Sequence, residues 1–254
     1  MPAYYGARRI LMMSPILPPP WLQVQKLLGT DLLGQFDATN GATITLSGAA
    51  VTAFTDPIAG LTLNPGGATT RPLYNGAYDG GGPCVVADGI DDYLSSSTVP
   101  YPIGANPCEW WAVVDQESLV ADTTGRRIFS YGPASSTTST ARMFYRTVPA
   151  GVNRFGAIVG DGTSTAITET TVDFSGWHVV RMRMTGTDVL LYVDGSAPTT
   201  AARVPTTVGG ITAMFCNQTV NGQFFKGALS CLLVTNLLST EKASALLAQL
   251  QERY

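Results

Sequence analysis

The chain has 254 residues, a formal net charge of −3, 45% hydrophobic residues and only 13% charged ones, against about 25% charge in an average soluble domain. Disorder needs low hydrophobicity with high charge and is excluded, and so acidic a balance offers no basic surface for a nucleic-acid partner. No apolar run reaches the roughly 18 residues of a membrane span, so no membrane partner is expected.

Residues 1–33 read as an N-terminal arm ahead of one main domain, 34–254. Arg8 and Arg9 before Ile10-Leu11-Met12-Met13 imitate a secretory signal, but Pro15, Pro18, Pro19 and Pro20 break the apolar stretch and no small-residue cleavage site follows. The segment therefore reads as retained. Ser14 to Pro20 forms a stiff, extended connector. After it, Trp21 to Leu28 reads as a short helix closed by Gly29, with Trp21, Val24 and Leu28 as its apolar stripe. Such an arm can pack on its own domain or on a neighbouring subunit.

From Gly34 onward the pattern is all-β. Strand-like runs occur at Trp110 to Val114, Arg127 to Tyr131, Arg142 to Val148, Phe155 to Val159, Ala166 to Val172, His178 to Met184, Val189 to Val193, Ile211 to Cys216 and Phe224 to Val234. Turn signals such as Gly160-Asp161-Gly162 and Asp194-Gly195 separate them, which predicts a sandwich or barrel. Alternation puts His178, Val180, Met182 and Met184 on one face, with Arg181 and Arg183 as isolated charges on the other. It also sends one ring of Trp110-Trp111 into the core and leaves the other on the opposite sheet face. The C-terminus switches period: Ser239 is an N-cap, and Ala243, Leu246, Leu247 and Leu250 form the stripe of an amphipathic helix. Cys84, Cys108, Cys216 and Cys231 have no zinc-site spacing. Two disulfides or four buried free thiols remain open, and the apolar runs around Cys216 and Cys231 favour thiols.

An ordered set of segments carries a family likeness. Phe36-Asp37-Ala38-Thr39 with Val51 to Asp56 comes first, then Thr70 to Tyr74 and Ala87-Asp88-Gly89-Ile90-Asp91-Asp92-Tyr93-Leu94. Trp110 to Val114, Gly176 to Val180, Leu190 to Gly195 and Phe225 to Ala228 complete it. Together they resemble the concanavalin A-like, laminin-G-like jelly-roll superfamily in the versions carried by phage and bacterial surface proteins. The resemblance implies a concanavalin A-like jelly-roll β-sandwich over residues 34–254, with an extended N-terminal arm and a C-terminal helix.

The same resemblance frames the chemistry. Glucanases of the superfamily carry an E-x-D-x-E strand that sets acid and nucleophile on one face. Here Glu109, Glu117, Glu169, Glu241 and Glu252 are the only glutamates and none stands in that pattern, so the expectation is that the chain is not an enzyme. His178, the only histidine, has no G-x-S-x-G elbow to serve and reads as a buried structural residue. Gly80-Gly81-Gly82-Pro83 lacks the lysine and helix of a phosphate loop. No cofactor is expected; calcium at Asp88, Asp91 and Asp92 is weighed against turn capping, which is favoured. Lectins of the superfamily use loop carboxylates and an aromatic platform, which implies a carbohydrate surface from Asp79, Asp88, Asp91, Tyr74, Tyr78 and Tyr93. The competing role for those tyrosines is packing across the sheet. The main expectation is a non-catalytic structural virion protein, a phage head decoration, tail or fibre component. Its arm would anchor it to other virion proteins or to copies of itself through Tyr4, Tyr5, Ile10, Leu11, Met12 and Trp21. A lectin-like adhesion module for host-surface glycans is the alternative. The place expected is the virion, assembled in the host bacterial cytoplasm, or else a secreted or cell-surface location.

Overall fold

In the computed structural model, residues 18–78, 82–98, 101, 107–117, 125–132, 140–148, 151–202, 210–216 and 223–254 are described. Helix α1 (Pro20–Leu28) leads into β1 (Leu32–Asp37), β2 (Ile44–Ser47), β3 (Ala50–Thr55), β4 (Thr62–Leu63), β5 (Leu73–Asn75), β6 (Cys84–Asp88) and β7 (Leu94–Ser96). Then come β8 (Cys108–Gln116), β9 (Arg126–Gly132), β10 (Ala141–Val148), β11 (Val152–Gly160), β12 (Thr165–Thr171) and β13 (Trp177–Met184). The chain closes with β14 (Asp188–Val193), β15 (Thr199–Ala202), β16 (Ile211–Met214), β17 (Lys226–Thr235) and α2 (Thr240–Gln251).

These strands make two antiparallel sheets facing each other, the all-β sandwich that the alternation predicts. The large sheet runs β15-β14-β13-β8-β17-β6-β5-β3-β2, with β1 beside β17 and β4 beside β3. The small sheet runs β12-β11-β10-β9-β16-β7. Strand β17 organises the large sheet. Its one edge pairs with β8, while the other pairs first with β6 through Lys226–Leu229 and then with β1 through Cys231–Thr235. The close approach of β8 and β17 depends on Gly227, whose φ is +138° and whose absent Cβ would lie 2.2 Å from the Asp115 carbonyl oxygen.

Strand phase fixes the two cores. Trp110, Ala112 and Val114 of β8 meet Phe129, Met143, Tyr145 and Phe155 of the small sheet between the layers. The alternate residues Trp111 and Val113 point outward, where both helices cover them with Val24, Leu28, Ala243, Leu246 and Leu250. The central strands of the large sheet are thus buried on both faces. Helix α1 accordingly packs on its own domain, and the predicted stripe places Val24 and Leu28 inside with Trp21 half-buried. In α2 the Ser239 hydroxyl caps the Lys242 amide as its position predicts. The Asp194-Gly195 turn has positive φ at both central residues, 51° and 77°, which is why the sequence has Asp-Gly there.

One expectation changes at this level. Arg181 and Arg183 are not isolated: both reach the fully buried Glu109, Arg181 through Nε at 3.0 Å and Nη2 at 2.7 Å, Arg183 through Nη1 at 3.3 Å. The second tryptophan stands on the opposite sheet face, as the alternation predicts, and is covered there. Trp111 lies beneath α2, donates its indole N–H to Glu109 and carries the Arg181 guanidinium 4.7 Å above its ring. All four cysteines are free and buried, and burial pushes the Cys84, Cys108 and Cys231 thiols up to about 12, keeping them uncharged and inert.

Candidate functional site

At one end of the sandwich, where β8 runs out and β13 begins, a cavity of about 430 Å³ is lined by Tyr78, Asp115, Gln116, Glu117, Phe174 and Trp177. Its walls are held rigidly. Phe174 is anchored in the main core, edge-on to Tyr145 at 5.4 Å and against Phe155 at 5.5 Å. Gly176 (φ +91°) turns the chain sharply from that anchor into β13. His178 fixes the same loop from the other side: Nδ1 meets Asp194 Oδ2 at 2.6 Å and Nε2 meets the Asp173 carbonyl at 2.7 Å. Burial alone lowers the His178 pKa, but the hydrogen bond and charge of Asp194, the Asp173 carbonyl and the charge of Asp115 outweigh it and hold the imidazole above its usual value. With its ring nitrogens on the Asp194 carboxylate and the Asp173 carbonyl, His178 clamps the loop before β13 to the Asp194-Gly195 turn.

Trp177 forms the other wall. It stacks on Tyr254 with centroids 4.1 Å apart and meets Tyr78 edge-on at 6.0 Å. Its indole Nε1 is buried without a hydrogen-bond partner among the described residues. Gln116 makes the stronger anomaly. The residue is 2% exposed, yet neither Oε1 nor Nε2 of its amide has a partner among the described residues. Buried amides left unpaired cost about 1–3 kcal/mol, and native structures pair nearly all of them. An amide side chain, an indole, two carboxylates and further aromatic rings therefore line one cavity. Glu117 at the rim is paired with Lys226 at 2.7 Å. Aromatic faces that stack on C–H surfaces, with a few polar groups to fix hydroxyls, describe a small polar-ligand pocket of ordinary size.

The sequence-derived surface between residues 74 and 93 is distributed over three places. Tyr78 joins the Trp177 pocket. Tyr74 is half-buried against the main core. Tyr93 stacks on Phe224 at 6.3 Å. Asp88, Asp91 and Asp92 gather with carboxylate oxygens within 4.8 Å of one another. In that turn, Asp88 Oδ1 accepts the Ile90 amide at 2.8 Å and Asp92 Oδ2 accepts the Asp88 amide at 2.9 Å, the bonds expected of turn capping. Asp79 and the arm residues Tyr4, Tyr5, Ile10, Leu11 and Met12 lie outside the described residues. The sequence reading did not single out Gln116, Asp115, Glu117, Phe174 or Trp177 for this site.

The aspartate turn supports a pH prediction. Burial, reinforced by the charges of Asp88 and Asp91, pushes Asp92 up to about 6 despite the stabilising Asp88 amide. A carboxyl raised in the folded state contributes stability that is full below its unfolded value near 3.8 and lost as pH rises through about 6. Asp92→Asn keeps the acceptor and removes the charge. It is expected to stabilise the protein by about 1–2 kcal/mol at pH 7.5 and negligibly at pH 4, read from urea midpoints. Equal midpoint shifts at both pH values would contradict this.

No protein-family profile matches the chain, and no curated protein does. Solved structures do. An arabinofuranosidase complexed with arabinofuranosyl-α-1,2-xylobiose superposes with a TM-score of 0.65 at 10% identity over 92% of this chain and 64% of that one. Domain 4 of an extracellular arabinanase from Geobacillus stearothermophilus, in complex with arabinotriose, gives 0.52 at 15% identity over 87% and 97%. Tailspike protein 2 of an Escherichia coli O157:H7 bacteriophage gives 0.53 at 12% identity over 72% and 26%. What they share with this chain is the β-sandwich. The chain spans about a quarter of the tailspike and less than two thirds of the arabinofuranosidase. The expectation that the chain is not an enzyme is corrected here. This sandwich also occurs in a glycoside hydrolase, so one missing motif, E-x-D-x-E, is no ground for excluding catalysis. Among the described residues, no helix is long and apolar enough to cross a membrane.

Proposed function

We propose that the chain is a glycan-recognising, concanavalin A-like β-sandwich of a virus particle, with the Trp177 pocket as its saccharide site. The observation that carries this reading is the buried, unpaired Gln116 amide set in a cavity walled by Trp177, Tyr78 and Phe174. A saccharide satisfies all of it at once: ring C–H faces cover the aromatics, while hydroxyls donate to Asp115 and Glu117 and bond to the amide. The virion half of the reading draws support from the fold shared with a phage tailspike and from the apolar N-terminal arm with its Pro-rich stretch Ser14 to Pro20. Partners on this reading are glycans and other virion proteins, copies of the chain included.

The test is a glycan array followed by titration calorimetry on the full chain. Trp177→Ala and Tyr78→Ala are expected to weaken binding of the best neutral oligosaccharide at least tenfold, equivalent to about 1.4 kcal/mol. Cleavage of the same oligosaccharide is followed in parallel by chromatography. Absence of any binding glycan, or unchanged affinity in both variants, would sink the reading.

A further inference from the structure

The outer face of the small sheet carries a second arrangement that the Trp177 pocket does not use. The outward residues of β10, β11 and β12 fall into three rows across the ladder. Arg142 lies beside Ile158 and Ile167, Phe144 beside Gly156 and Glu169, and Arg146 beside Arg154 and Thr171. Arg127 of β9 sits opposite Phe144, its guanidinium 5.0 Å from the ring centroid. Phe144 can lie flat across the middle row because position 156 is glycine; a Cβ there would fall 2.2 Å from its ring. Four guanidinium groups thus share one face with a single described carboxylate, Glu169.

Glu169 serves two of them. Arg146 Nε approaches it at 2.6 Å and Arg154 Nη1 at 3.1 Å, which offsets the repulsion of two cations directly opposite on the ladder. Arg127 donates to the Gln223 side chain at 3.1 Å. Arg142 stands apart. It is 7% exposed, its Nε is fixed by the Thr140 hydroxyl at 2.9 Å, and its Nη2 is buried without a partner among the described residues. Burial lowers its pKa to about 10, with no acid acting against that shift. A buried guanidinium without a counter-charge is unfavourable in an empty protein and becomes favourable once a ligand brings the anion.

We propose that this face binds a carboxylate-bearing saccharide, with Arg142 taking the carboxylate and the adjoining Ile158–Ile167 step, where Ile167 is 54% exposed, supporting the sugar ring. One buried cation without a counter-charge among the described residues matches a monoanion, and the planar guanidinium matches a planar carboxylate. The sugar half rests on the glycan reading above; the carboxylate half stands on Arg142 alone.

The experiment titrates the full chain with glucuronate-, galacturonate- and sialate-containing oligosaccharides, with their carboxyl-reduced neutral forms, and with sodium acetate against sodium chloride at equal ionic strength. At least one acidic oligosaccharide is expected to bind, its reduced form at least tenfold more weakly, and acetate far more weakly still. Arg142→Lys, which keeps the charge and loses the fork, is expected to reduce affinity at least tenfold. Ile167→Asp, at an exposed position where folding is safe, is expected to do the same. Trp177→Ala is expected to leave this binding unchanged, which separates it from the pocket. Equal binding of acidic and reduced forms, no acidic ligand at all, or unchanged affinity in both Arg142→Lys and Ile167→Asp overturns the proposal. Acetate binding as tightly as the oligosaccharides overturns its saccharide half, and loss of binding in a folded Trp177→Ala overturns the separate site.

Discussion

Glu109→Ala is expected to destabilise the protein by about 3–5 kcal/mol, lowering the melting temperature by about 6–20 °C at this chain length. Glu109 is 0% exposed. Its carboxylate takes both forks of Arg181, the Trp111 indole N–H at 3.1 Å and the Leu238 amide at 3.2 Å, the last in the segment that leads into α2. Arg181 itself is held between the Trp111 and Tyr192 rings, 4.7 and 4.6 Å from their centroids. Alanine at 109 would leave a buried cation uncompensated and two N–H groups unpaired. Removing both charges with Glu109→Met and Arg181→Met is expected to recover the part of the loss due to the buried cation, because a packed apolar pair carries no desolvation penalty, while the Trp111 and Leu238 N–H groups stay unpaired. Urea unfolding of the single and double variants gives the coupling energy. A loss below about 1 kcal/mol in Glu109→Ala would show that the network contributes specificity rather than stability.

That network shows why charge was hard to read from the sequence. Glu109 and Arg181 are 72 residues apart, and each alone on an apolar strand resembles a solvent-facing exception. Pairing of β8 with β13 sets Arg183 directly opposite Glu109 and Arg181 opposite Trp111, and register is a tertiary quantity. Strand existence, by contrast, was legible where alternation ran for several residues, as in β13, or where a strand-like run ended in a turn signal, as β14 does at Asp194-Gly195. Helix α2 was legible because its cap and its stripe agree. Short edge elements such as β15 (Thr199–Ala202) carry no inward phase strong enough to see. For the pocket, Tyr78 was legible as one of a tyrosine cluster, but its partner Trp177 lies 99 positions further on and meets it only across the sandwich end. Gln116 did leave a signal. Cys108, Trp110, Ala112 and Val114 mark the inward phase of β8, and Gln116 continues that phase with a polar amide. A polar residue in an apolar phase at a strand end marks either a satisfied core group or a site, and only the structure shows that this one is unsatisfied.

Gln116→Leu separates those two cases, since stability and binding are expected to move in opposite directions. Leucine fills nearly the same volume and has no polar atoms to leave unpaired, so removing the buried amide is expected to stabilise the fold by about 1 kcal/mol. The same change removes the pocket's amide, a group that both donates and accepts. Affinity for the best neutral oligosaccharide is expected to fall at least tenfold, about 1.4 kcal/mol. Opposite signs are what a binding residue shows when its unpaired state in the free protein is tolerated for the sake of the ligand. Thermal melts and calorimetry on the same preparation read both quantities. If Gln116→Leu destabilises the protein while affinity holds, the amide is a structural group and the cavity loses its claim as a saccharide site. If stability rises and affinity is unchanged, ligand contacts run through the aromatic walls and rim carboxylates alone. Trp177→Ala then becomes the deciding variant, because it removes a whole wall of the cavity at once.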